Sequence, residues 1–180
     1  MPKICSNAKE NILRIAKKII VNEGYEKLTI RDVAKQTGYG VGTIYNYFPN
    51  KLAIVASLFL EEWEVANQCL MQKRETASSF PEVLSLVYST IKGFFDEHKT
   101  LFFSIDVGKE NREKIDFGHQ HFLKVIMTYL HDAQVRFSCV SSEGDLRNAS
   151  ILLIQASTTY GLSFEEIKTS LLKFLQGVIQ

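Results

Sequence analysis

Proline is scarce in this sequence, with only three in 180 residues, at positions 2, 49 and 81. Helices therefore meet few interruptions, because proline removes a backbone donor and clashes with the preceding turn. Apolar residues recur at intervals of three and four along most of the chain, which is the period of an amphipathic helix. No segment of convincing length alternates apolar and polar residues as a strand does. The pattern predicts an all-α protein.

Cysteines and long apolar runs are also few. The three cysteines, Cys5, Cys69 and Cys139, are odd in number and far apart. We therefore expect no disulfide framework and a reducing, cytoplasmic location. The longest apolar runs span only a few residues, whereas a membrane-spanning helix needs roughly 20. The first residues lack the apolar stretch and the cleavage site of a secretion signal.

Charge is distributed unevenly along the chain. The net charge is only +1, but residues 1–52 contain nine basic and four acidic residues, a balance of +5. The remaining residues carry a balance of −4. A basic N-terminal region on a mildly acidic remainder suits a module that binds a polyanion such as DNA.

Three short helices are predicted in the first fifty residues. The first carries an apolar stripe and ends at Gly24, a typical helix terminator. The second begins after Thr29, with Asp32 three residues later as in a capping box. It ends at Gly38. The third runs roughly from Val41 to Tyr47.

The second and third of these helices are separated by the short turn Gly38-Tyr39-Gly40, an arrangement typical of a helix-turn-helix. Ile44 and Phe48 are expected to pack inward with the apolar residues of helix two. The other side of helix three then faces outward, where a helix fits the major groove of DNA. We expect this outward set to be Val41, Gly42, Thr43, Tyr45, Asn46 and Tyr47.

The outward residues have the chemistry of DNA contacts. Asn46 can read an adenine edge, and Tyr45 and Tyr47 can donate to phosphates. Thr43 can do either or touch a thymine methyl group. Lys51, at the start of the next helix, is placed for a phosphate that the helix N-terminus also attracts.

Residues 9–60 resemble the DNA-binding domain of the TetR family of regulators. The segment GYEKLTIRDVA, from Gly24, is similar to the first half of the family pattern, and GTIYNYFPNK, from Gly42, is similar to the second half. The resemblance implies that Thr29 and Arg31 contact DNA from the start of helix two. It implies recognition-helix contacts from Thr43, Tyr45 and Tyr47, and a phosphate contact from Lys51.

Two positions depart from the family pattern. Gly40 stands where the family commonly has serine, and glycine caps a helix without offering a side-chain acceptor. Tyr39 replaces a small aliphatic residue. We therefore expect a looser entry into the recognition helix.

The rest of the chain is expected to form a helical body, for about nine helices in total. The predicted domains are a DNA-binding domain at 1–50 and a ligand-binding and dimerisation domain at 51–180. Asn50 is expected to cap helix four, which ends near the polar stretch 72–79, and Pro81 to open helix five. Helix six is expected at 101–107, a charged loop or helix end at 109–116, helix seven at 117–136, and the last two helices at about 145–160 and 163–176. Ser163 is expected to cap the last helix, with Glu166 three residues on.

Two sets of residues in the body are predicted to be functional. An aromatic set is expected to line a mostly apolar ligand cavity, with Tyr88 and His121 as polar anchors; the alternative is a solid core. The set comprises Phe59, Trp63, Phe94, Phe95, Phe102, Phe103 and Phe117. Apolar stripes on the last two helices are expected to form a homodimer interface. These stripes comprise Leu153, Ala156, Tyr160, Phe164, Ile167, Leu171 and Leu175.

Catalytic and metal sites are not predicted. His119 and His121 are two positions apart, so they do not share a helix face, and no cysteine cluster accompanies them. Glu165 and Glu166 are expected on a solvated helix face. No pair of nucleophile and base is apparent from the spacing. We therefore expect no cofactor and no enzymatic activity.

These patterns lead to one interpretation and two alternatives. The interpretation is a homodimeric repressor, released from a near-palindromic DNA operator by a small, mostly apolar ligand. The first alternative is a DNA-binding regulator without a small-molecule effector, controlled by a protein partner or by its abundance. The second is an all-α enzyme with a vestigial DNA-binding region.

Overall fold

The computed structural model describes residues 7–104 and 112–175, without the side chains of residues 100–104, 112–119 and 121. Within these residues the chain forms eight α-helices and no strand, which confirms the all-α prediction. A 3₁₀ turn at Tyr25–Lys27 and a π-helical turn at Ala156–Tyr160 complete the helical elements. The α-helices are α1 (Ala8–Glu23), α2 (Ile30–Thr37), α3 (Val41–Tyr47), α4 (Lys51–Thr76), α5 (Phe80–Ser104), α6 (Arg112–Arg136), α7 (Glu143–Gln155) and α8 (Phe164–Leu175).

Among the described residues there are eight α-helices where about nine were predicted over the whole chain, and α5 is longer than expected. It continues to Ser104, so the beginning of the predicted helix at 101–107 belongs to α5. The remainder of that predicted helix lies outside the described residues. Residues 112–116, expected in a loop or helix end, form the beginning of α6. Charged residues such as lysine and glutamate favour helix formation, so a charged stretch alone does not mark a break.

Helix α4 also extends further than predicted, to Thr76. The last carbonyls of a helix have no partner within the helix. Here the Arg136 guanidinium donates to the carbonyls of Arg74, Glu75 and Ala77 at 2.6, 3.1 and 2.7 Å. An arginine of α6 thus supplies hydrogen-bond donors to backbone carbonyls at the C-terminal end of α4.

Two predicted helix starts, those of α2 and α4, are confirmed by their capping contacts. The Thr29 hydroxyl oxygen accepts from the Asp32 backbone N–H at 3.1 Å. The Asn50 side-chain oxygen accepts from the Ala53 N–H at 2.9 Å. The start of α8 is also stabilised by hydrogen bonds between neighbouring residues. The Ser163 N–H and hydroxyl both donate to the Glu166 carboxylate at 2.7 Å, and these bonds lower the pKa of Glu166.

The chain divides into two compact units. The first comprises the residues up to Val65 together with the end of α5, and the second comprises the rest from Ala66 onward. Helix α4 runs through both. The functional division predicted between residues 50 and 51 stays a prediction. No described helix is long and apolar enough to cross a membrane.

Each unit has its own buried residues. In the first unit, apolar side chains of α1, α2, α3 and the start of α4 form one core cluster. In the second unit, α7 contacts both α6 and α8. Buried Gln134 on α6 donates to the Ser141 hydroxyl oxygen at 2.6 Å and to the Leu175 carbonyl at 2.9 Å. It thereby ties the end of α8 and the approach to α7 to α6.

Candidate nucleic-acid interface

Helices α2 and α3 are joined by the three-residue turn 38–40. Gly38 has a φ of 73°, a left-handed conformation that glycine adopts readily. The Thr37 hydroxyl donates back to the Val33 carbonyl at 2.8 Å and accepts from the Tyr39 N–H at 3.4 Å. These contacts fix the backbone conformation at the end of α2 and in the turn. They therefore determine where α3 begins.

Tyr39 ties this turn to α1. The Asn11 amide donates to the Tyr39 hydroxyl oxygen at 3.4 Å, and the Arg14 guanidinium donates to the Asn11 carbonyl oxygen at 2.7 Å. Gly40 is the N-cap of α3 and makes no side-chain capping bond. The prediction of a looser entry into α3 did not include this contact between the Tyr39 side chain and α1.

Burial along α3 is one-sided. Ile44 and Phe48, one turn apart, are 0% and 2% exposed and belong to the core of the first unit. Val41 and Tyr45 are 40% and 52% exposed, and Gly42 and Asn46 are exposed as well. Because one face is anchored in the core, the opposite face is held in a fixed orientation toward the solvent.

Two residues of the predicted outward set lie at the edge of this face. Thr43 and Tyr47 are half-buried. Tyr47 packs against the core cluster, as expected for a position three residues after Ile44 on a helix. The fully outward part of α3 is therefore narrower than the sequence indicated.

The start of α2 contributes Thr29 and Arg31, both exposed. The Thr29 hydroxyl donates to the Asp32 carboxylate, so its proton is already engaged within the protein. Arg31 lies on the first turn of α2. The structure thus places both predicted residues on the surface of the first unit.

Lys51, the first residue of α4, is half-buried. Its Nζ donates to the Tyr25 carbonyl at 3.0 Å and lies 3.8 Å from the centre of the Tyr25 ring. An ammonium group can donate three hydrogen bonds, and the Tyr25 carbonyl takes one of them.

This arrangement is shared with a known family. Residues 12–58 match the family model of bacterial regulatory proteins, tetR family. Over this segment the chain has the DNA-binding domain of the TetR family, and the match supports a TetR-family regulator. This confirms the family resemblance seen in the sequence and supports a role in DNA binding and transcription regulation.

Similarity to other regulators extends along most of this chain. An HTH-type transcriptional regulator of Staphylococcus aureus strain MRSA252 is 25% identical over 164 residues, which cover 88% of this chain and 84% of that relative. The transcriptional regulator FadR from Bacillus subtilis, in complex with stearoyl-CoA, has a TM-score of 0.60 at 23% identity, covering 95% of this chain and 99% of FadR. A TetR/AcrR-family regulator from Thermobifida fusca has a TM-score of 0.51 at 18% identity, covering 96% and 98% of the two chains. At such identities, the likeness to the two solved structures establishes the fold alone.

The residues predicted to bind a ligand lie in different environments. Phe59 is half-buried and packs against the core of the first unit, and Trp63 is half-buried. Tyr88, expected as a polar anchor, is buried; its hydroxyl donates to the Leu162 carbonyl and its ring lies 5.8 Å from that of Phe164. Burial raises the pKa of Tyr88. The hydrogen bond from the Tyr88 hydroxyl to Leu162 connects α5 to the segment before α8.

Phe94 belongs to an aromatic group in the second unit. Its ring lies 5.7 Å from Phe95, edge to face, and 4.6 Å from the His98 imidazole. Phe95 in turn lies 6.1 Å from Phe122 on α6. His98 and Phe122 were not predicted, although His98 follows Phe94 by four residues on the same helix face. The predicted side chains of Phe102, Phe103, Phe117 and His121 lie outside the described residues.

The predicted dimer stripes are mostly buried within the single chain. Five of their seven residues are 0–3% exposed, namely Leu153, Ala156, Ile167, Leu171 and Leu175. Such side chains have almost no surface left for a second copy, because α7 already packs on both α6 and α8. Tyr160 is 65% exposed and Phe164 is half-buried. Of the predicted set, these two still offer surface to a partner.

Proposed function

We propose that this TetR-family protein acts in the cytoplasm as a homodimeric repressor. It binds a near-palindromic operator through α3, and a small, mostly apolar ligand releases it. The observation that carries the proposal is the one-sided burial of α3, with Ile44 in the core and Tyr45 and Asn46 exposed. A helix anchored in this way can enter the major groove without rearranging the core beneath it.

Two further features of the first unit support binding to DNA. Its excess of positive charge attracts the phosphate backbone. Lys51 is the proposed phosphate contact, and Thr29 and Arg31 are proposed contacts from α2. Tyr45 and Asn46 are the proposed base or phosphate contacts from α3, with Val41, Gly42, Thr43 and Tyr47 alongside them.

The dimer proposal rests on the apolar surface of the last two helices. Ile151, Ile154, Leu172 and Phe174 are half-buried, and Tyr160 is exposed. These residues neighbour the buried stripes, and we place the interface on them. A twofold axis through this surface gives two DNA-binding units with the symmetry of a palindrome. A molecular mass of one chain at micromolar concentration, measured by light scattering, would refute the dimer.

The ligand proposal rests on the aromatic group of Phe94, Phe95, His98 and Phe122. Ligand sites in proteins are mostly apolar with a few polar groups, and this group has that composition. FadR, which shares the fold, is in complex with stearoyl-CoA, so long-chain acyl-CoA molecules are suitable first probes. If none of them, nor a wider panel of apolar compounds, shifts the thermal melt or releases DNA, the regulator without an effector is favoured.

Operator binding is tested with the DNA upstream of the protein's own gene. We expect Tyr45→Ala to weaken specific binding by about 1–3 kcal/mol, and affinity to fall steeply as salt rises, because phosphate contacts release counterions. Val21→Ala, which changes an exposed side chain of α1, is the matched control. Equal, salt-insensitive binding by the wild type and Tyr45→Ala would contradict the proposal.

A further inference from the structure

The side chain of Lys51 is held in place by a single residue far away in the sequence. Its Nζ donates to the carbonyl of Tyr25, 26 positions earlier, at 3.0 Å. The same Nζ lies 3.8 Å from the centre of the Tyr25 ring. Tyr25 begins the 3₁₀ turn that follows α1, and its half-buried ring packs against the core of the first unit. The core therefore positions the ring, and the ring and carbonyl position the ammonium.

Both contacts suit an ammonium that has a further partner. A lysine side chain is long and flexible, and ordering it upon binding costs conformational entropy. A side chain that is already ordered in the free protein avoids part of that cost. The ring attracts the positive charge through its electron-rich face, and the carbonyl accepts only one of the three ammonium protons. The contacts therefore orient Lys51 without using all of its donors.

We propose that Tyr25 is a positioning residue for DNA binding, because it holds the Lys51 ammonium ready for an operator phosphate. This inference rests on the proposed function, in which Lys51 contacts a phosphate. Tyr25 itself need not touch DNA. Its contribution to affinity passes through Lys51, so it should vanish when the ammonium is removed.

The competing explanation is that Tyr25 and Lys51 only fasten the 3₁₀ turn to α4. In that case Tyr25 supports the first unit as a whole. Replacing it would then weaken DNA binding to the same extent whether or not Lys51 is present. The two explanations thus differ in the coupling between the residues, which a double-mutant cycle on operator affinity measures.

The experiment uses the full chain and the operator selected by the wild-type protein. Operator affinity is measured for Tyr25→Leu, Lys51→Gln and the double variant, with Tyr25→Phe as the control that keeps ring and carbonyl. We expect Tyr25→Leu to weaken binding several-fold in the presence of Lys51, and to have no further effect beside Lys51→Gln. Tyr25→Phe should bind like the wild type. An equal loss from Tyr25→Leu in both backgrounds would overturn the proposal.

A second series avoids the risk that Tyr25→Leu disturbs folding. Phenylalanine with an increasing number of ring fluorines is incorporated at position 25, which weakens the attraction of the ring for cations while nearly preserving its shape. Affinity should fall stepwise with fluorination when Lys51 is present and stay constant in Lys51→Gln. No dependence on fluorination in the Lys51 protein would refute the proposed role of the ring.

The salt dependence of binding separates a failure of this proposal from a failure of the proposed function. Lys51→Gln should reduce the slope of log affinity against log salt by about 1 for each lost phosphate contact. An unchanged slope and affinity would show that Lys51 contacts no phosphate and would overturn the positioning role as well. Absence of specific operator binding by the wild-type protein would refute the proposed function itself.

Discussion

Both compact units have a mainly apolar core, but among the described residues only the second unit also buries polar side chains. The described buried residues of the first unit are all apolar, and its core comes from short helices that follow one another in the sequence. The second unit buries Gln134, Ser150 and Ser157. It also depends on hydrogen bonds between distant residues, such as Tyr129 to Asn67, 62 positions apart, and Tyr88 to Leu162, 74 positions apart.

The difference has consequences for each unit. Apolar packing tolerates exchange of one aliphatic side chain for another of similar volume, so conservative exchanges in the core of the first unit should leave α3 in place. Buried polar contacts have strict geometry, and a lost partner leaves a group unsatisfied. We therefore expect the second unit to be sensitive to single polar substitutions.

The largest effects should come from opening a cavity in either core. Ile44→Ala in the first unit and Leu130→Ala in the second both remove side chains that are 0% exposed, and each should cost about 2–5 kcal/mol. Hydrogen exchange should show faster amide exchange in α1–α3 for Ile44→Ala, and in α6 and α7 for Leu130→Ala. Operator binding should be lost mainly in Ile44→Ala. Equal loss of protection throughout both variants would show that the two units unfold as one.

A smaller effect is expected at the end of α4. Arg136→Ala removes the donor to three carbonyls and should reduce the free energy of unfolding by about 1–3 kcal/mol. Arg136→Lys should recover little, because an ammonium cannot reproduce the planar, forked guanidinium. Arg147→Ala, at an exposed position of α7, is the control for loss of one positive charge. Denaturation midpoints that are the same for Arg136→Ala and Arg147→Ala would show that the carbonyl contacts contribute nothing.

Tyr88→Phe distinguishes a structural role from a ligand anchor. Loss of the hydrogen bond to the Leu162 carbonyl should cost about 1 kcal/mol, while release from DNA by an apolar ligand should persist. Thermal melts and ligand titrations of the variant provide the two measurements. Unchanged stability together with a lost ligand response would instead restore Tyr88 as the anchor.

The smallest effect concerns pH. The bonds from Ser163 lower the pKa of Glu166 below its ordinary value of 4.5. A group with a lowered folded pKa contributes stability above its unfolded pKa, and the contribution is lost as pH falls through the folded value. Glu166→Gln should therefore be less stable than the wild type at neutral pH, and the difference should shrink below pH 4.5. Glu165→Gln, which leaves the Ser163 contacts intact, is the control; a difference that is constant with pH would contradict this account.

Much of the first unit could be predicted because its signals are local. Thr29 and Asn50 mark helix starts, and Gly24 and Gly38 mark helix ends, through conformations and capping bonds that involve residues within a few positions. The face of α3 follows from helical periodicity. The periodicity did not predict the edge of this face, because the half-burial of Tyr47 depends on packing against the core.

The second unit shows where such reasoning fails. Apolar periodicity on α7 and α8 identified one face of each helix, but it did not show whether the chain itself or a second copy covers that face. The structure buries Leu153 and Leu171 within the chain. Periodicity indicates only that a side chain is removed from water. The hydrophobic free energy gained is the same whether the chain itself or a second copy covers that side chain.

The sequence by itself thus determined the all-α class, the helix-turn-helix and the basic N-terminal region, because each depends on periodicity, turn chemistry or charge that neighbouring residues carry. The tertiary structure alone decided which distant groups meet. The Lys51 ammonium lies over the Tyr25 ring, the Arg136 guanidinium donates to carbonyls at the end of α4, and the Tyr88 hydroxyl donates to Leu162. Each of these contacts requires two segments to be brought within a few ångströms by packing elsewhere, and no local pattern encodes that distance.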